Sequence, residues 1–234
     1  MNEQPHPYET PYPVGSEALR NVRPEYFDGT FTPLGRGMGI PTQATAAGDV
    51  YPLQGDAEYR GWYHMTGTTK SRWCPKQSKF EGPRPGGAKH AGADLFSHRR
   101  ETLLAITAGT IEYRPPQPAG WGNHIYLYFK RGGVKYVAVY AHIDASSQFS
   151  GPKSVVAGES IGSAGCSGNA GDAGACWRTF RCHDKIAAED HLHLELFRAD
   201  DPDVKLDPIA FFGWTVKFSD DQSCSECGST SQLI

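Results

Sequence analysis

The chain has 234 residues, and 23 basic against 26 acidic side chains leave a formal net charge of −3. A balance so close to neutral excludes a protein that grips nucleic acid or an anionic membrane through bulk charge. With glycine counted and tyrosine left out, about 45% of the residues are apolar, which is ordinary for a globular chain. The 27 Gly and 17 Pro make it turn-rich and leave little room for long helices. The length suffices for one good core and a small accessory segment.

Residues 1–75 are polar and rich in Pro, Gly and Tyr, without a sustained helical period. The aromatics Tyr26, Phe27, Phe31, Tyr59, Trp62 and Tyr63 argue against full disorder. This stretch reads as a long, irregular N-terminal extension that packs on the core. The first twenty residues hold Pro5, Pro7, Pro11 and Pro13 and no apolar stretch, so no export signal is legible. No apolar run approaches the roughly 18 residues of a membrane helix, so no membrane span is expected. Six cysteines point the other way, towards disulfides and an oxidising compartment. Cys176–Cys182 and Cys224–Cys227 are the pairs close in sequence. Delivery by a route that reads no N-terminal signal, a leader already removed, or thiols kept reduced would each reconcile the two signs.

Residues 76–218 form the second unit. Short runs rich in β-branched and aromatic residues, separated by Gly, Pro, Asn and Asp, predict strands at Ala93–Phe96, Thr102–Ile106, Gly109–Tyr113, His124–Phe129, Val134–Ala141, Ser154–Ala157, His191–Phe197 and Gly213–Phe218. Arg131-Gly-Gly predicts a hairpin between the fourth and fifth. Short helices are expected at Lys185–Glu189 and Pro208–Phe212. The fold class is therefore mainly β, an antiparallel sheet with few short helices. Residues 166–189 read as a loop-like insertion and 219–234 as a polar, Cys-containing tail.

Three pieces carry chemistry. In His90-Ala-Gly-Ala-Asp94 the offset spans about 13 Å along a straight strand, so the two side chains meet only if the backbone bends, which Gly92 permits. Imidazole and carboxylate both suit zinc. In His191-Leu-His-Leu-Glu-Leu196 strict alternation predicts a strand with His191, His193 and Glu195 on one face and the leucines in the core. Tyr140-Ala-His142 ends an apolar strand, where sites are often built. Taken alone, each also reads as a structural or surface histidine. His6, His64, His98, His124 and His183 read as surface or packing residues.

As a set, these pieces resemble the lysostaphin/LytM-like zinc metallopeptidases, which cut peptide bonds of bacterial cell walls. Gly120-Trp-Gly-Asn123, the run Val155-Val-Ala-Gly-Glu-Ser-Ile-Gly-Ser-Ala-Gly165 and Leu206-Asp-Pro-Ile209 extend the likeness, in order, over about residues 86–212. The resemblance implies a substrate groove across the sheet, with His90, Asp94 and His193 as Zn2+ ligands and His142 and His191 as the catalytic pair. Either Arg84 or Lys89 would stand for the Arg that often precedes the first ligand pair. The implied activity is zinc-dependent hydrolysis of peptidoglycan peptide cross-links, in the periplasm or at the cell wall. Without a legible signal, the chain reads as an antibacterial effector with a cognate immunity protein, or as a lysin. The alternative is a non-catalytic wall-binding scaffold that activates another hydrolase. Residues 166–189 depart from the short turn usual before His-x-His and would lie beside the groove.

Overall fold

The computed structural model describes residues 22–39, 48–54, 62, 78–84, 87–97, 100–117, 120–170 and 191–216. Nine strands among these residues carry the fold: β1 (Ala93–Phe96), β2 (Thr102–Leu104), β3 (Gly109–Gln117), β4 (Gly122–Arg131), β5 (Val134–Ala141), β6 (Lys153–Val155), β7 (Ser160–Ser163), β8 (His191–Arg198) and β9 (Asp201–Leu206). A short helix, α1 (Pro208–Phe212), follows them. The main sheet runs β1-β8-β5-β4-β3-β6, and β2 and β7 form a separate pair. Every pairing between these strands is antiparallel.

The centre is β8, and its alternation explains why. Leu192, Leu194 and Leu196 are fully buried in the larger apolar cluster, with Ala93, Leu95, Ile125, Leu127, Ala138 and Tyr140 from neighbouring strands. The opposite face is not left to solvent, since His191, His193 and Glu195 are buried too. Farther along that face Trp121, Tyr126, Tyr128, Val137, Val139 and Phe197 form a second cluster. A short 3-10 turn at Pro24–Phe27 packs there, with Tyr26 and Phe27 edge-on to the Tyr128 ring.

β5 pairs with one edge of β8 along Ala141↔His193 to Tyr136↔Arg198. β1 and β9 share the other edge in succession, β1 against residues 191–194 and β9 against 196–198. Described parts of the N-terminal extension enter the core. Tyr51 and Leu53 are fully buried, and isolated bridges tie Pro33 to Ser154, Met38 to Glu159, Leu53 to Leu103 and Trp62 to Leu95.

The mainly β, antiparallel expectation holds, with β1 and β5 at the expected bounds. Two elements were not anticipated: β7, a short strand in a Gly/Ser-rich segment, and β9, whose Asp-Pro-Asp start looks like a turn. One expectation is corrected. Gly213 begins no strand; it caps α1 in the left-handed region at φ 69°, and Trp214 then stacks on Phe212 at 4.6 Å. That aromatic stack buries the apolar side chains whose pattern suggested a strand. The expected helix at Lys185–Glu189, the insertion beyond residue 170 and the tail lie outside the described residues. So do both expected disulfides; Cys166 is the sole cysteine among the described residues.

Gly92 shows how tightly the site's first piece is packed. A β-carbon at this position would lie 2.4 Å from the Leu194 carbonyl oxygen and 2.9 Å from Glu195 Cγ. Because the obstacle is strand backbone, Gly92→Ala should destabilise the protein by about 1–3 kcal/mol, as overpacked cores do. Chemical denaturation of the purified variant checks this; unchanged stability would mean that β1 and β8 are less closely apposed than described.

Candidate metal centre and flanking histidines

The sheet register brings the first three candidates together. Asp94 on β1 lies opposite His193 on β8, and directly opposed residues of an antiparallel pair share a face. On the other edge His193 faces Ala141. His90 reaches the same point because residues 91 and 92 bend before β1 begins. Its Nε2 lies 3.2 Å from Asp94 Oδ1 and 3.0 Å from His193 Nδ1, and His193 Nδ1 lies 2.7 Å from Asp94 Oδ1. All three residues are buried.

This donor set fits zinc. Two imidazole nitrogens and one carboxylate oxygen within 4.8 Å of one another are a common zinc ligand set. Their mutual spacings of 2.7–3.2 Å approach the roughly 3.3 Å edge of a tetrahedron with 2.0–2.1 Å bonds. Three protein ligands also leave the open position that catalytic sites keep. The outward nitrogens are satisfied: His90 Nδ1 donates to the Lys79 carbonyl at 3.0 Å, which turns an unprotonated Nε2 towards the cluster.

The other two histidines flank the cluster. The His142 ring centroid lies 4.9 Å from that of His191 and 5.6 Å from that of His193. His191 Nε2 is 3.8 Å from Asp94 Oδ1, beyond hydrogen-bond reach. His142 follows the last residue of β5 at φ 62°, an uncommon region for a residue with a β-carbon. Its N–H donates to the Trp121 carbonyl at 2.8 Å. Its Nδ1 donates to the Ser167 carbonyl at 2.8 Å, leaving Nε2 as the free base. Ser167 is held in turn: its Oγ donates to the Ile143 carbonyl at 2.8 Å and accepts from Asn123 N–H at 3.0 Å. This loop contact needs Gly122, where a β-carbon would lie 2.4 Å from the Ser167 and Gly168 backbone.

All five predicted residues therefore converge. Of the residues that orient them, sequence reasoning offered Arg84 and Lys89 as alternatives and missed Ser167. Arg84 donates from a terminal guanidinium nitrogen to Asp94 Oδ2 at 2.6 Å, whereas exposed Lys89 pairs with Glu81 at 3.2 Å. No spacing rule gives this, because the narrow loop pairing Pro83 with Lys89 folds Arg84 back over the site. Ser167 acts through its carbonyl, which side-chain chemistry cannot announce. Glu195, whose face alternation did predict, places Oε1 2.9 Å from His193 Nε2. His124, read as a surface or packing residue, is buried.

The electrostatics follow from burial and pairing. Burial pushes the Asp94 carboxyl up, but His90, Arg84 and the hydrogen bond from His193 outweigh it and hold it well below its ordinary value. Burial, reinforced by His191 and His193, holds His142 well below the usual imidazole range, and burial also lowers His90. His193 goes the other way. Burial opposes its charge, yet hydrogen bonds to Asp94 and Glu195 raise it to about 9. A cation thus suits this position between two carboxylates.

The signs give a prediction for chelator-treated protein. His193, raised from 6.5 to about 9, contributes stability that is complete below pH 6.5 and lost as pH climbs to about 9. His142 and His90, both depressed, contribute stability above pH 6.5 that is lost as pH falls below it. Thermal melts of the chelated protein should peak near pH 6.5, and His193→Gln should flatten the alkaline limb. An alkaline limb unchanged in that variant would contradict the assigned pairing.

The chain matches peptidase family M23 over residues 88–206, a little over half of its length. Among solved structures it is similar to the catalytic domain of the antimicrobial peptidase lysostaphin from Staphylococcus simulans, at 25% identity over 58% of this chain and 90% of that one, with a TM-score of 0.43. It is similar to whole lysostaphin at 24% identity over 59% of this chain and 49% of that one, with a TM-score of 0.42. It is also similar to a variant catalytic domain of the prophage-encoded M23 protein EnpA from Enterococcus faecalis, at 23% identity over 55% and 85% of the two chains, with a TM-score of 0.39. No curated protein matches the chain. On the match that spans both halves of the histidine and aspartate cluster, the chain belongs to peptidase family M23.

Proposed function

We propose that this protein is a zinc-dependent endopeptidase that hydrolyses peptide cross-links of bacterial peptidoglycan. The observation that carries this reading is the convergence of His90, Asp94 and His193 on one point with His142 and His191 beside it. Family M23 membership supports it, and the family also includes inactive members, so the completeness of the constellation matters. The protein would act in the periplasm or at the cell wall, as an antibacterial effector with an immunity protein as partner or as a lysin.

Zinc held by His90 Nε2, Asp94 Oδ1 and His193 Nδ1 would supply Lewis-acid activation of water and of the scissile carbonyl. The chain's own residues handle the protons. His142, neutral and with its Nδ1 proton committed to Ser167, offers Nε2 as an acceptor. His191, one ring away, can donate to the developing oxyanion or the leaving amine. Burial of both rings limits competing water.

Release of free amines from purified sacculi, followed by mass spectrometry of the products, tests the activity and names the bond. His193→Ala and Asp94→Ala should lose zinc and activity together. His142→Ala should keep zinc within a few-fold while turnover falls about 10²–10⁴-fold, the usual contribution of a proton-transfer group. Metal loss in His142→Ala would make it a ligand instead. A scaffold would release no amines in any form, with or without zinc.

A further inference from the structure

Glu195 is the one polar residue on the buried face of β8 to which the proposed chemistry gives no part. It is 2% exposed, and three elements supply its partners. Oε1 accepts from Trp121 Nε1, just before β4, at 2.9 Å and lies 2.9 Å from His193 Nε2. Oε2 lies 2.9 Å from Lys205 Nζ, on β9. The lysine is itself placed by packing, its ammonium 4.3 Å from the Phe197 ring centroid and 5.9 Å from that of Trp121. A carboxylate this deeply buried keeps its charge only when paired and hydrogen-bonded, and here both conditions are met.

An imidazole binds a metal through a nitrogen that carries no proton, so the proton of the neutral ring sits on the other nitrogen and needs an acceptor there. His193 turns Nδ1 towards Asp94 Oδ1 and His90 Nε2, at 2.7 and 3.0 Å. Its proton then belongs on Nε2, where Glu195 Oε1 stands. Glu195 is fixed before any metal arrives, because Trp121 and Lys205 hold it from outside the cluster.

We propose that Glu195, clamped by Trp121 and Lys205, is a positioning residue that keeps the His193 proton on Nε2 and aims Nδ1 at the metal. This rests on the reading of His193 as a metal ligand. It also assigns a task to Lys205, which no ligand motif contains.

Two measurements on the full chain test it: zinc affinity by competition with a chromophoric chelator, and the His193 imidazole Nε2–H signal in proton–nitrogen NMR, which shielding by Glu195 should keep visible at neutral pH. Thermal melts confirm folding. Glu195→Ala should bind zinc roughly 10–100-fold more weakly, the usual effect of losing such a partner, and should lose the Nε2–H signal. Glu195→Gln, which keeps an acceptor oxygen, should restore both in large part, and Lys205→Met should fall between. A folded Glu195→Ala with wild-type affinity and signal would overturn the proposal. If that variant does not fold, Lys205→Met decides: unchanged affinity together with an unchanged signal overturns it. If the wild-type protein binds no zinc, the ligand assignment fails separately, and the Nε2–H signal still decides what Glu195 does. Its absence from the wild type, or its survival in a folded Glu195→Ala variant, overturns the positioning role.

Discussion

The register at His193 is the constraint on which the site depends. β8 is paired on both edges there, with Asp94 on one side and Ala141 on the other. Because side chains alternate strictly along a strand, a slip of one residue would turn His193 and Glu195 into the leucine core and bring the leucines onto the site face. The fully buried Leu192, Leu194 and Leu196 exclude that slip. Apolar packing on one face thus fixes the geometry of polar chemistry on the other. His142 depends on the same register, since it follows the last paired residue of β5.

The polar face carries an electrostatic cost that the surroundings offset in a graded way. His90, Asp94, His142, His191, His193 and Glu195 are all buried. Carboxylates stay charged because cations and donors meet them, Arg84 and His193 at Asp94, Lys205 and Trp121 at Glu195. Histidines away from these carboxylates are pushed towards neutrality, as His142 is. The result is an environment that favours positive charge at one point between Asp94 and Glu195 and an uncharged base a ring's width away. That division matches what metal-assisted amide hydrolysis asks of two neighbouring positions.

The residues proposed to ligate a metal or move protons were legible because their signals are local. Alternation in His191–Leu196 fixed face and strand together, and Gly92 between His90 and Asp94 announced the bend. What escaped sequence reasoning acts through long-range geometry. Ser167 serves through a backbone carbonyl, and what selects Arg84 over Lys89 is a loop that folds back across ten residues. β9 escaped because its Asp-Pro-Asp start carries turn signals, although pairing with β8 holds it in the sheet. Gly213–Phe218 misled for the converse reason. Apolar alternation around Trp214 suggests a strand, while Gly213 in the left-handed region and an aromatic stack on Phe212 turn the chain back onto the core. The motifs place the site on the strands; only tertiary contact reveals what holds it still.

The strand that carries Asp94 bears most directly on that rigidity. β1 is four residues long and ends the sheet path, and a short edge strand is a weak support for a proposed ligand that would have to be placed within about 0.5 Å. Two contacts reinforce it. Trp62, from the N-terminal extension, bridges Leu95 and packs in the larger core cluster. Asp94 itself is held through its second oxygen by Arg84. Backbone pairing on the free side of an edge strand also removes the open hydrogen-bonding groups that invite association. The described parts of the extension therefore belong to the peptidase core in a physical sense. Tyr51 and Leu53 fill the same cluster as the leucines of β8, and a change at Trp62 should reach Asp94 through β1.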